Sequence, residues 1–377
     1  MRTVLVAAVV VAGCSSDLPS SSHIDKLRVL AVRAEPPEVA PGQVTTLDAL
    51  VVEPIVPQVD DLGPPNGPSY YWLACSIPPG AAEELPCGVD PSNPLPGTPL
   101  DAQTCMSAAS LLPDCATAPT AAFCRLSETP TAQLKPDSSR TGSDGTGQLL
   151  VTMVVSDQQS ALECLCNVIA QGGEVVTAGG DTRAADHCVL AVKRLAISDP
   201  NRTLGANKVA PPAPNKNPTI TNLFYVDGAG MNVPLLGAGS GFTIAPDGFS
   251  ARLTLAATRS ADAAELEPQL DSNGKPKLDD GGNLAPLQVE ALTVAWFLTG
   301  GSIEGGRSAW IPEGCLTQAD CPTAMPISEA VTKWNPPTQL QLTQTSTASD
   351  PRVNFWAVIR DDRGGVGWVA GTAKPWP

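Results

Sequence analysis

The residues of this chain best equipped for chemistry are its sulfurs. Eleven cysteines stand against two histidines, His23 and His187. Cys164 and Cys166 flank a single leucine, and His187 directly precedes Cys188. Thiolate and imidazole are zinc ligands, but zinc sites are built on C-x2-C or H-x3-H pairs, and neither spacing occurs. A cysteine–histidine nucleophile pair would need a free thiolate. Apart from Cys14, the cysteines form even sets: Cys75, Cys87, Cys105, Cys115, Cys124, Cys164, Cys166 and Cys188 in the first half, Cys315 and Cys321 in the second. In an exported chain, even sets are read as disulfides. Five bridges and no free thiol are therefore expected, with Cys315 and Cys321 closing the short loop GCLTQADC and the pairing of the other eight left open.

Carboxylate pairs are the other route to catalysis, as in glycoside hydrolysis. Asp279-Asp280 and Asp361-Asp362 are adjacent, so on an extended strand the members of each pair face opposite ways and cannot share a reacting atom. DSNGKPKLDDGG, residues 271–282, offers oxygen ligands for calcium, but its glycine is misplaced for an EF-hand and Asn273-Gly274 is a turn signal. GAGSGF, residues 237–242, has the look of a phosphate loop, yet the next segment reads as a strand and not as the helix whose N-terminus would meet an anion. No serine is framed as G-x-S-x-G. The sequence therefore predicts no catalytic set, no metal and no cofactor. Among the aromatics, Trp334 and Trp368 are the candidates for an exposed platform that stacks on sugar rings, against the commoner use of tryptophan in a core.

Placement of the chain is legible at its start. Val4 to Ala12 is an apolar run of nine residues behind Met1 and Arg2, too short for the roughly 20 that cross a bilayer and laid out as an export signal. It stops at Val11-Ala12-Gly13-Cys14, which resembles the bacterial lipobox. The resemblance implies a diacylglyceryl group on the Cys14 thiol, further acylation such as palmitate, and cleavage that makes Cys14 the first residue. Two or more acyl chains hold firmly where one does not. Ser15 after the cysteine is not the aspartate of inner-membrane retention, so the resemblance implies the outer membrane of a cell envelope, with the membrane reached through lipid on Cys14. Residues 14–23, rich in serine, read as a polar tether.

The net charge of −15 and the 16% content of charged residues argue against nucleic acid, which needs clustered Lys and Arg. An envelope protein or a glycan remains as partner. Abundant proline (38) and glycine (33) suit strands joined by turns. The stretch PPAPNKNP predicts a semi-rigid linker at 208–217, dividing a first domain, 24–207, from a second, 218–377. In the first, Leu27 to Arg33, Val44 to Val52, SYYWLACS, GQLLVTMVVS and HCVLAVKRLAIS read as strands. Pro78 to Pro136 reads as a cysteine-rich loop insertion. Ser160 to Gln171 reads as a short helix that places Ala161, Leu165, Val168 and Ile169 on one face and ends at Gly172-Gly173.

In the second domain TITNLFYV, FSARLTLAAT, LQVEALTVAWFLTG, TQLQLTQTST and VNFWAVIRDDRGGVGWVAG read as strands, with RDDRGG a hairpin turn in which Gly364 and Gly365 take positive φ. Each domain carries a tryptophan on its third main strand, Trp72 and Trp296, resembling the buried strand-C tryptophan of immunoglobulin-like sandwiches. EVAPGQ resembles the opening of such modules on bacterial surfaces. The expectation is a mainly all-β chain of two immunoglobulin-like sandwiches with a disulfide-rich insertion and a few short helices. As a whole the chain resembles cysteine-rich bacterial lipoproteins with immunoglobulin-like domains, a resemblance that implies location and architecture but no activity.

Overall fold

A computed structural model describes residues 22–53, 67–76, 102–121, 123–142, 145–170, 187–203, 211, 213–226, 232–235, 242–244, 253–260, 265–267, 269, 277–283, 285, 288–310, 329–337 and 352–375. Among the described residues the first half forms eight strands: β1 (Arg28–Glu35), β2 (Glu38–Val39), β3 (Thr45–Val52), β4 (Ser69–Ser76), β5 (Phe123–Ser127), β6 (Ala132–Leu134), β7 (Thr146–Ser156) and β8 (Cys188–Ser198). They make two sheets, β1-β3-β6 and β2-β8-β7-β4-β5. All pairings are antiparallel except that β2 runs parallel to β8. The second half adds β9 (Ile220–Val226), β10 (Asn232–Pro234), β11 (Phe242–Ile244), β12 (Leu253–Arg259), β13 (Leu266–Glu267), β14 (Gln288–Val289), β15 (Leu292–Leu298), β16 (Ser302–Glu304), β17 (Arg307–Trp310), β18 (Glu329–Asn335), β19 (Val353–Asp361) and β20 (Val366–Pro375).

The second pair of sheets is β10-β9-β12-β18-β16 and β11-β20-β19-β15-β17, with β13 and β14 a separate small ribbon. Here too one short strand, β11, runs parallel to the last, β20. The two halves thus share one immunoglobulin-like strand arrangement. Trp72 on β4 and Trp296 on β15 occupy corresponding strands and are fully buried. Their ring nitrogens donate to the Thr129 carbonyl at 2.9 Å and to Ser308 Oγ at 3.1 Å.

Alternation explains the packing. On β4, Trp72 and Ala74 face the sandwich core, while Tyr71, Leu73 and Cys75 face the other way. On β7 both sets are buried: Leu149, Val151, Met153 and Val155 in the core, Leu150 and Val154 outside it. A strand buried on both faces needs a second cover, and α2 (Ala161–Ala170) supplies it with Ala161, Cys164 and Leu165. Ser160 caps this helix, its Oγ accepting from the Glu163 N–H at 3.1 Å. Against α2 lies α1 (Ala102–Ser110).

Disulfides fix this layer. Cys105–Cys166 joins α1 to α2, Cys164–Cys188 joins α2 to β8, and Cys115–Cys124 ties the segment after α1 to β5, with Cα–Cα separations of 5.4, 5.8 and 4.9 Å. Cys75 is bridged as well. Cys14, Cys87, Cys315 and Cys321 lie outside the described residues.

Several sequence expectations need correction. The stretch 78–136 is more than an insertion, because β5 and β6 are sandwich strands and α1 a helix. The segment LQVEALTVAWFLTG breaks at Glu290-Ala291 into β14 and β15. In the β19–β20 turn only Gly364 takes positive φ, +95°. Gly365 is required for closeness instead, since a Cβ there would lie 2.0 Å from Asp361 Oδ2 and 2.8 Å from the Lys216 carbonyl. TQLQLTQTST lies outside the described residues.

The tether ends earlier than expected. The Leu298 N–H donates to the Ser22 carbonyl at 2.9 Å and the Ile24 N–H to the Leu298 carbonyl at 2.8 Å, so His23 bridges to β15 in parallel. No helix among the described residues is long and apolar enough to cross a membrane.

Candidate functional site

The two sandwiches meet along a seam that is apolar on one side and charged on the other. The apolar side begins with the outward face of β19 and β20. Trp356, Val358 and Val366 pack with Ile24, Leu30, Ala31 and Val52, and Trp368 lies against the group half-buried. Burying a side chain of Val, Leu or Ile size contributes about 1.5–3 kcal/mol, which offsets the cost of enclosing the charges beside it. Arg360 Nη2 reaches across to the Leu30 carbonyl.

On the charged side, Arg363 in the β19–β20 turn donates from Nη2 to Glu38 Oε2 at 2.8 Å and to the Ala213 carbonyl at 3.3 Å. Its Nη1 lies 3.7 Å from Glu265 Oε2. Asn215 is buried and joins β2 to β19. Its N–H donates to Glu38 Oε2 at 2.9 Å and its Nδ2 to Asp361 Oδ2 at 3.2 Å. Asp361 in turn closes its own hairpin by accepting from the Gly365 N–H at 2.5 Å. Lys216 pairs with Glu265 Oε1 at 3.4 Å. Asn217 Nδ2 donates to the Ala34 carbonyl at 2.7 Å, and the Val366 N–H donates to Asn217 Oδ1 at 2.8 Å. Residues 215–217, expected as a spacer, are therefore clamped between both halves.

Two further charges are enclosed. Lys193 on β8 donates to the Gly364 carbonyl, and burial pulls its ammonium down to about 8 against the supporting charge of Asp361. Glu290 is wholly buried; its Oε2 accepts from the Glu265 N–H at 3.4 Å, while its Oε1 has no hydrogen-bond partner. Burial first, then the Asp361 charge, pushes the Glu290 carboxyl up to about 8, with Arg363 opposing. Burial also raises Asp361, against the Gly365 N–H, Asn215 and Lys193. At neutral pH the seam thus holds a protonated Glu290 and a charged Lys193.

Sequence reasoning missed this cluster, although a signal was present. Glu290 shares its parity with Leu292, Val294, Trp296 and Leu298, and Lys193 with Leu195 and Ile197, all core residues. A charged residue on the core-facing parity of a strand is one whose partner should be sought.

The residues that sequence singled out are engaged otherwise. Trp334 cannot serve as a sugar platform: it is fully buried, edge-on to Phe355 with centroids 4.7 Å apart, its Nε1 donating to the Gly300 carbonyl. Trp368 is half-buried, and the Arg33 guanidinium carbon sits 4.3 Å from its ring centroid, a cation–π contact that occupies one face. His187 Nδ1 lies 2.9 Å from Asp157 Oδ1, the geometry of an oriented imidazole, but its Nε2 meets Gln158 Nε2 at 2.9 Å and its neighbour Cys188 is bridged. Asp279 accepts from the Asn283 N–H at 2.8 Å and so closes a turn. Asp361 is half-buried in the seam and Asp362 is exposed. Among the described residues, no three His, Cys, Asp or Glu side chains are grouped to hold a metal.

No family model and no curated protein matches the chain. Two solved structures of Escherichia coli alpha-2-macroglobulin are similar, one activated by porcine elastase and one by trypsin. Identity is 12% and 10%, with TM-scores of 0.20 and 0.18. The likeness takes in 94% and 93% of this chain but only 22% and 18% of theirs, and at such scores it adds nothing to the fold or the site.

Proposed function

We propose that the chain is an envelope lipoprotein, held by acyl groups on Cys14, whose two joined sandwiches serve as a non-catalytic interaction or structural module. The observation that carries the reading is Val11-Ala12-Gly13-Cys14 behind a nine-residue apolar core. Buried bridges between α1, α2 and β8 agree with folding in an oxidising compartment. The side chains with catalytic potential hold structure: His187 in an Asp157–Gln158 bracket, Asp361 and Asp279 in turns. The enclosed seam charges hold residues of the two halves together.

The test is metabolic labelling with palmitate in the native host, followed by detergent-phase partition. The wild type should incorporate label and enter the detergent phase, and Cys14→Ser should do neither. Partition of Cys14→Ser equal to the wild type would overturn the anchor. A glycan-binding role is the second reading, now resting on Trp368 and not on Trp334. A glycan-array signal lost on Trp368→Ala would favour it.

A further inference from the structure

The order of the chain places the first sandwich next to the anchor, because it comes directly after the tether. The hydrogen bonds place the tether elsewhere. Ser22, His23 and Ile24 take over the edge of β15 at Leu298, just beyond the Trp296 N–H bond to the Gly306 carbonyl with which the β17 side of the edge ends. Three observations make this a seat and not a chance contact. Ser22 is 3% exposed and Ile24 1% exposed. Both backbone bonds, Leu298 N–H to Ser22 O and Ile24 N–H to Leu298 O, are 2.8–2.9 Å. Gly306 lacks the Cβ that would stand 2.2 Å from Ser22 Oγ, so the serine fills the place of a side chain.

From this seat the chain crosses to the first sandwich through Ile24 and Leu30, which lie in the apolar side of the seam. The entry point and the charged side of the seam sit at opposite ends of β19: Leu298 pairs with Phe355, whereas Leu292 pairs with Asp361. Six strand residues separate those ends, about 20 Å.

We infer that the β15–β17 edge of the second sandwich, around Ser22 and Gly306, is the face of the body held against the membrane, and that the second sandwich, last in the chain, is the membrane-facing one. The inference rests on the proposed anchor at Cys14. Eight Cα steps separate Cys14 from Ser22, and at no more than about 3.3–3.6 Å each they reach about 26–29 Å. That is less than the span of a sandwich and its neighbour, so the seated edge cannot drift far from the headgroups while Cys14 is embedded. The partner surface here is the phospholipid headgroup layer, met by proximity; the net charge of −15 gives it no general attraction to anionic lipid. Val44 is exposed and lies about 26 Å along β3 from the seam residue Val52, near the charged side of the seam where Thr46 pairs with Glu35, and so stands away from the seat.

Energy transfer from a fluorophore to a headgroup-linked acceptor tests this on the acylated protein in phosphatidylethanolamine–phosphatidylglycerol vesicles. One label goes at Ser302, on the exposed strand beside the seat, and another at Val44. Transfer should be several-fold greater from Ser302. Gly306→Val, which unseats Ser22, and an insertion of about 20 Gly/Ser residues between Ser16 and Asp17, which adds reach of about 25 Å, should each lower the Ser302 signal while leaving acylation of Cys14 intact. Equal transfer from the two labels, or greater transfer from Val44, would overturn the inference with the anchor still standing. A Cys14→Ser protein that stays on the vesicles would instead overturn the anchor itself.

Discussion

Replacing Glu290 by glutamine should make the protein more stable, by a margin that grows as pH rises from 4.5 to about 8 and is constant above that. The carboxyl is wholly enclosed, with one oxygen lacking any partner, and burial pushes it up to about 8 from the ordinary 4.5. A group held above its unfolded value keeps its proton more tightly in the fold. Its contribution is therefore complete below pH 4.5 and is lost as pH rises through about 8. The gap corresponds to a ceiling of about 5 kcal/mol; opening of the seam, which lets water reach the carboxylate, caps the loss below that ceiling. Glutamine has the same shape and no such titration.

Urea unfolding of the oxidised protein should give Glu290→Gln within about 1 kcal/mol of the wild type near pH 5, and a surplus of several kcal/mol near pH 9. Lys193 titrates in the opposite sense. Its burial cost is full below about 8 and is relieved towards its ordinary 10.5, in both proteins alike, so it largely cancels in the difference. A difference that does not change between the two pH values would refute the assignment of Glu290 as the buried, proton-holding member of the seam.

The same geometry sets other outcomes. Arg363→Ala leaves Glu38 and Glu265 without the cation they share, and calorimetry should show a loss of about 3–5 kcal/mol. Trp72→Ala and Trp296→Ala should each cost about 3–5 kcal/mol in denaturant unfolding, and Trp334→Ala should lose comparable stability while leaving any glycan binding unchanged. Peptide mapping without reduction should recover Cys105 linked to Cys166, Cys115 to Cys124 and Cys164 to Cys188; removing the last pair should cost about 2–4 kcal/mol. Gly301→Ala, at φ +82° with a Cβ 2.3 Å from the Asn335 carbonyl, should destabilise by more than about 1 kcal/mol.

Most strands of seven or more residues were readable from alternation, because one face of each must be buried and a slip of one residue would invert it, but β18 (Glu329–Asn335), which carries Trp334, was missed. Alternation is why β1, β3, β4, β7, β8, β9, β19 and β20 match their sequence segments, and why Trp72 and Trp296 could be placed on corresponding strands. The helix at Ala161–Ala170 was readable from its apolar face, of which Ala161 and Leu165 are buried, and Ser160 with Glu163 was a further signal of its start; its expected end at Gly172-Gly173 lies outside the described residues. β5 and β6 were hidden because five and three residues are too few to show a period. The seating of Ser22–Ile24 was hidden for a different reason: it uses backbone groups, which every residue carries, so serine-rich composition reads as tether whether or not it pairs with a strand edge. The clamped asparagines 215 and 217 look like linker residues for the same cause, since their partners at Glu38, Asp361 and Ala34 are far away in sequence.

The most direct test of a lipid-anchored, fully oxidised body is the intact mass of the protein extracted from its own membranes without reduction, before and after thiol alkylation. A chain beginning at Cys14, carrying two or three acyl groups and gaining nothing on alkylation, is the expected result. A chain that retains Met1, or one that takes up alkylating groups at several cysteines, would contradict the account.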